Sequence, residues 1–220
     1  MTRSLGILAL VGALCLLASQ AIAGAYDDFF KAIETDDDRS MTTLLFHGFD
    51  PNSVNPKGVP GLVLAVQGGS IKVVHLLLSQ NKTNVEARTP QDESALMMAA
   101  LNGYEDIAKA LIAKGADVNK TGWAPLHYAA TKGQLAIIKL LLDQSAYIDA
   151  ESPNKSTPLM MAAMYGTFDA VKLLVDAGAD VLLKNDLGLT ALEFARQANR
   201  QDSEAYLLKM VEARRPKGAW

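Results

Sequence analysis

The chain has 220 residues, half of them apolar, with 21 basic and 24 acidic side chains and a formal net charge of −3. That apolar content excludes a disordered chain, which could not offset its ordering entropy. The slight acidity argues against a binder of nucleic acid or of anionic membranes, which would carry a basic surplus.

Residues 1–23 read as a secretory signal. Arg3 is the positive start, Leu5 to Ala18 the apolar stretch, Ser19-Gln20 a polar break, and Ala21-Ile22-Ala23 the small-x-small pattern before cleavage at Gly24. The competing reading is an uncleaved anchor in the inner membrane with the rest of the chain facing the periplasm, because Ser4 to Ala25 carries no charge. In either case the basic start stays on the cytoplasmic side and the remainder is exported. The one cysteine, Cys15, lies in this leader, so the exported part has no disulfide and no thiol. An exported chain of this size without disulfides suits a bacterial periplasm better than a eukaryotic extracellular space.

After the leader the sequence repeats itself. Phe29, Ala32 and Ile33 precede Leu44 and Leu45, and Pro60-Gly61-Leu62 precedes Val73, Leu77 and Leu78. Four sharper copies follow: Ser94-Ala95-Leu96-Met97-Met98-Ala99-Ala100, Ala124-Pro125-Leu126-His127-Tyr128-Ala129-Ala130, Thr157-Pro158-Leu159-Met160-Met161-Ala162-Ala163, and Thr190-Ala191-Leu192-Glu193-Phe194-Ala195. Gly103, Gly133 and Gly166 end the first three of these, and a second apolar stripe begins at Ile107, Ile137 and Ala170. A hydroxyl residue before proline caps a short helix, and proline is tolerated in the first turn. The paired alanines let two helices approach, and the glycine stops the first helix. The stripe that follows fits a second helix packed antiparallel on the first. Gly115-Ala116-Asp117 and Gly178-Ala179-Asp180 then turn the chain into a hairpin finger.

These copies resemble the ankyrin signature T-P-L-H-x-A-A-x-x-G, and the leucines at 62, 96, 126, 159 and 192 follow its period of about 33 residues. The resemblance implies an all-α solenoid of about six helix-turn-helix repeats with projecting hairpin fingers, over residues 24–213. Polar residues at both ends mark capping repeats at 25–53 and 187–211. Residues 214–220 form a basic tail. One departure stands out: only Lys120-Thr121-Gly122-Trp123 separates Asn119 from Ala124, so this finger is three residues short and leaves a notch with tryptophan at its base.

No phosphate loop, dinucleotide fingerprint or Ser/His/Asp arrangement is present, which leaves catalytic residues, cofactors and metals unassigned. His127 is the signature histidine, which the resemblance assigns to tying finger to helix; Met97, Met160 and Glu193 replace it elsewhere. Met97, Met98, Met160, Met161 and Met164 suggest either adaptable core filling or a copper-buffering role. The run Asp36-Asp37-Asp38 lacks the spacing of a calcium loop and fits the acidic start of a helix.

The resemblance therefore implies a non-catalytic module that binds another protein through the concave face of first helices and fingers. The family's variable surface positions fall on Val59, Gln67, Gly68, Glu93, Leu101, Asn102, Trp123, Thr131, Lys132, Ser156, Met164, Tyr165, Leu187, Leu189, Gln197 and Ala198. Among them Trp123 and Tyr165 are the expected anchors, flanked by Met164, Leu101 and Asn102, with Thr131 and Lys132 as a polar edge and Leu187 and Leu189 further along. A monomer is expected, with no nucleic acid and no membrane contact beyond the leader. The small periplasmic ankyrin proteins of Gram-negative bacteria, which it resembles, include partners of peroxide-defence enzymes and immunity proteins that neutralise secreted toxins.

Overall fold

The computed structural model describes residues 24–214, so the expected leader and all of the basic tail after Arg214 lie outside the described residues. These residues form twelve helices in six pairs, in two compact units that divide after Asn84. The first unit holds α1 (24–35), α2 (Asp38–Phe46), α3 (Gly61–Gly68) and α4 (Ile71–Ser79). The second holds α5 (Ala95–Asn102), α6 (Glu105–Ala113), α7 (Pro125–Lys132), α8 (Leu135–Asp143), α9 (Pro158–Tyr165), α10 (Phe168–Asp176), α11 (Ala191–Gln197) and α12 (Gln201–Arg214). In this unit α5, α7, α9 and α11 pack in sequence as one layer, and α6, α8, α10 and α12 as a second.

The paired alanines account for the closeness of the first layer. Ala99, Ala100, Ala129, Ala130, Ala162 and Ala163 are all buried. Each second helix buries one stripe, for example Ile107, Ala108 and Leu111 on α6 or Ile137, Ile138 and Leu141 on α8. On α12 the stripe is Ser203, Leu207 and Val211, and Arg214 at its end donates from Nη1 to Asp180 at 3.2 Å. The acidic run is structural: Asp37 caps α2 by accepting from the Arg39 and Ser40 N–H groups, and Asp36 accepts from Val73 N–H at 3.0 Å.

Every sharply marked first helix opens with the same bond from backbone to side chain. The residue three positions into α5, α7, α9 and α11 accepts the N–H of the residue before the helix. The acceptors are Met97 Sδ at 3.4 Å, His127 Nδ1 at 3.1 Å, Met160 Sδ at 3.4 Å and a Glu193 carboxylate oxygen at 2.9 Å. Ser94 and Thr157 return the bond by accepting from the Met97 and Met160 N–H groups. Ala124 cannot, but His127 compensates: its Nε2–H donates to the Ser156 carbonyl 3.0 Å away on the next finger. Met97, Met98 and Met160 are thus buried, and two of their sulfurs serve as acceptors.

Gly103 and Gly133 end their helices with left-handed backbones, but Gly166 does not. Its backbone is extended, and a Cβ there would lie 2.4 Å from the Ala130 carbonyl oxygen. This glycine is needed for the contact between α7 and the end of α9. Gly166→Ala is expected to destabilise by about 1–3 kcal/mol through overpacking. An unchanged urea midpoint would contradict that contact.

Burial holds the His127 pKa below its ordinary 6.5, against the opposing effect of its bonds to the Ser156 and Ala124 backbone. The stability that comes from the neutral ring is fully present above 6.5. It falls as pH drops from 6.5 towards the lowered folded-state value, since the unfolded chain takes up the proton first. His127→Met reproduces the neighbouring repeats, keeping an acceptor for Ala124 but losing the donor to Ser156. It should cost about 0.5–1.5 kcal/mol at pH 8, the usual worth of one hydrogen bond. The deficit should shrink as urea titrations move from pH 7 to pH 5. A pH-independent deficit would contradict the buried neutral histidine.

Candidate partner-binding surface of the second unit

Four fingers share one turn built from backbone and a short polar side chain. In 55–59, 89–93, 152–156 and 185–189 the first residue's N–H donates to the fifth residue's carbonyl and the fourth N–H donates to the first carbonyl. The fourth position is left-handed in each: Gly58, Asp92, Lys155 and Gly188. Asn55, Thr89, Ser152 and Asn185 fold their side-chain oxygens back onto the turn's N–H groups. Among the described residues no strand forms, and antiparallel pairing is limited to bridges at Val54–Pro60 and Arg88–Ser94.

The finger bases are tied from one repeat to the next at equivalent positions. Asn52 Oδ1 accepts from Asn84 N–H, Glu86 from Asp117 N–H, Asn119 Oδ1 from Tyr147 N–H and Asp149 from Asp180 N–H. Asn119 therefore keeps its register although the finger that follows it is short. The connection at 114–124 is three residues shorter than those at 144–157 and 177–190, and what is missing is the shared turn. Lys120 of the short finger pairs with Asp92 at the preceding tip, and Tyr128 on α7 donates to Glu93 of the same finger at 3.3 Å. Desolvation first, then the Glu93 charge, pushes the Tyr128 pKa up to about 12, so its hydroxyl stays a donor at neutral pH.

The nine residues expected to bind a partner fall into two rows. Leu101 and Asn102, Thr131 and Lys132, and Met164 and Tyr165 end the adjacent helices α5, α7 and α9. Trp123, Leu187 and Leu189 lie on the fingers, at the opposite ends of the first helices. Eight helical residues, about 12 Å, separate the rows. The single strip centred on Trp123 that the repeat spacing suggests is therefore two strips, because a residue before a helix and one at its end cannot adjoin.

Within the first row Asn102, Lys132 and Tyr165 are exposed, Tyr165 at 55%, and Leu101, Thr131 and Met164 half-buried. Thr131 donates to the His127 carbonyl. In the second row Leu187 is 77% exposed at the tip of its finger and Leu189 is half-buried. Trp123 is half-buried and meets the His127 ring edge-on, centroids 5.3 Å apart, so it braces the histidine as well as presenting a surface. Ser156, a family surface position, is buried, because its carbonyl is the acceptor for His127. Tyr128 and the Lys120–Asp92 pair were not legible as surface features, since neither occupies a family variable position.

Comparison with known proteins agrees with this architecture. The sequence matches the family described as ankyrin repeats (3 copies) over residues 29–121, 62–152 and 126–215. It is 29% identical over 200 residues to the tyrosine-protein kinase Shark of Drosophila melanogaster, covering 88% of this chain and 21% of the kinase. It is 27% identical over 161 residues to the human transient receptor potential cation channel subfamily A member 1, covering 68% of this chain and 14% of the channel. The chain thus spans about a fifth or less of these relatives. Among solved structures it resembles a chain from the complex of the Bd0816 predatory endopeptidase from Bdellovibrio bacteriovorus with immunity protein Bd3460. That match has a TM-score of 0.72 and 31% identity, and covers 82% of this chain and 96% of the other. Family match, helical pairs and a structural likeness over 82% of the chain lead to one conclusion: the chain belongs to the ankyrin-repeat family.

Proposed function

We propose that this is an exported binding protein which holds and inhibits a partner enzyme in a bacterial periplasm, as an immunity protein restrains a peptidase. The observation that carries the reading is the likeness to a chain from an endopeptidase–immunity complex over nearly all of that chain's length. We take the matching chain to be the immunity partner, because an ankyrin array is a binding surface rather than a peptidase fold. Arg3, the Leu5–Ala18 run and Ala21-Ile22-Ala23 supply the case for export.

In this reading the partner bridges both rows of the second unit. Tyr165 is the principal anchor: large, amphipathic, exposed, and seated on a helix that cannot shift without disturbing α7 and α11. Leu187 gives a second apolar contact on a finger whose turn Asn185 makes rigid. The missing turn at 120–123 leaves room between the neighbouring fingers for a protruding element of the partner.

Mass spectrometry of the protein from a periplasmic extract should find the N-terminus at or within a few residues of Gly24, and an intact Met1 in the membrane fraction would make the protein anchored instead. Pull-down from such an extract should recover an enzyme whose activity falls on stoichiometric addition of this protein. Recovery of an enzyme that keeps full activity would overturn the inhibitory role. Against that partner Tyr165→Ala should weaken binding about thirtyfold, which is about 2 kcal/mol, while unfolding changes by less than about 0.5 kcal/mol. Trp123→Ala should lower both affinity and stability, because its ring supports His127. An affinity unaffected by Tyr165→Ala would move the contact away from this row.

A further inference from the structure

The first unit carries a binding feature separate from both rows. A cleft of about 780 Å³ opens between α1, α3 and the finger that follows α2, larger than the depressions of 450 and 430 Å³ elsewhere. Its size lies within the range of about 300–1,000 Å³ typical of ligand clefts. Tyr26 and Phe30 form one wall, with ring centroids 4.9 Å apart. Tyr26 is fixed by its hydroxyl, which donates to the Val54 carbonyl at 2.6 Å, and Phe30 rests edge-on against buried Phe29. Ile33 and Leu64 supply further apolar lining.

Two carboxylates, Asp27 and Glu34, line the same cleft. They lie seven residues apart with Phe30 between them, so all three share one face of α1. Both carboxylates are exposed, and among the described residues neither forms an ion pair with a lysine or arginine. Lys31 also lines the cleft, but it borders the neighbouring depression with Asp28, Asp37 and Arg39 as well, which puts it on the ridge between the two. The cleft is thus an aromatic wall beside an excess of negative charge.

We propose that this cleft receives an arginine side chain of a protein partner. A planar guanidinium stacks on an aromatic face and forks onto carboxylates, and its three-methylene stem suits an apolar lining. A purely aliphatic side chain would leave Asp27 and Glu34 unused, and an acidic one would be repelled by both. The proposal rests on the reading that this protein binds another protein, but it concerns a different surface from the Tyr165 row. The two therefore fail separately.

The test is a titration of the isotope-labelled protein with capped acetyl-Gly-Arg-Gly-amide, followed by amide NMR. Saturable millimolar shifts are expected at Tyr26, Phe30, Glu34 and Leu64 and not at Tyr165. The Leu and Glu counterparts of the peptide should bind at least about tenfold more weakly, since the charge term is lost or reversed. Replacing the carboxylates together (Asp27→Asn with Glu34→Gln) should weaken the arginine peptide about fivefold or more and flatten its salt dependence. Thermal unfolding should stay unchanged, because both side chains are exposed. Equal binding of the leucine peptide, shifts that depend on protein concentration alone, or no shifts at these residues would each overturn the proposal.

Discussion

The starts of α5, α7, α9 and α11 depend on one bond: a side chain three residues into the helix accepts the N–H of the residue that ends the preceding finger. Without it, a backbone donor would be buried unmade, at a cost of about 1–3 kcal/mol. Sulfur, imidazole and carboxylate all perform the task, at Met97 and Met160, His127, and Glu193. Only the imidazole can also donate, and His127 uses that second bond to hold the next finger through Ser156. In the second unit these contacts set the helix starts, while the finger turns and the bonds between finger bases hold the fingers, since among the described residues no strand stiffens them.

The repeats, their helical pairs and the short finger were legible because they follow from composition and spacing: paired alanines, glycines after them, hydroxyls before proline. Other features depended on what lies beside a residue in space. Gly166 looks like Gly103 and Gly133 in sequence, yet it serves close approach to Ala130 rather than a left-handed turn. Ser156 occupies a surface position by alignment, but the donor on His127 draws it inside. The same applies to the acidic run, where a helix start explains Asp37 but not the bond that the Val73 N–H donates to Asp36.

The positions expected to bind a partner can be read one by one from the sequence, but their arrangement in space cannot. Position within a repeat shows that Trp123 and Tyr165 both lie away from the second-helix layer. It does not show that a helix length separates them, or that Trp123 leans on His127. The cleft at Tyr26 and Phe30 was missed for a related reason: α1 belongs to a repeat whose sequence departs from the signature, so no family position pointed to it. In the proposed reading the second unit presents Tyr165 and Leu187, while the first unit offers a cleft of different chemistry.

In the proposed reading a protein partner is gripped by the first-helix ends and fingers of the second unit. Hydrogen exchange of the protein with and without its captured partner tests it most directly. The account predicts new protection at the ends of α7 and α9, around Lys132 and Tyr165, and in the fingers at 120–123 and 185–189, with α6, α8 and α10 unchanged. Protection confined to α6, α8 and α10 would contradict it.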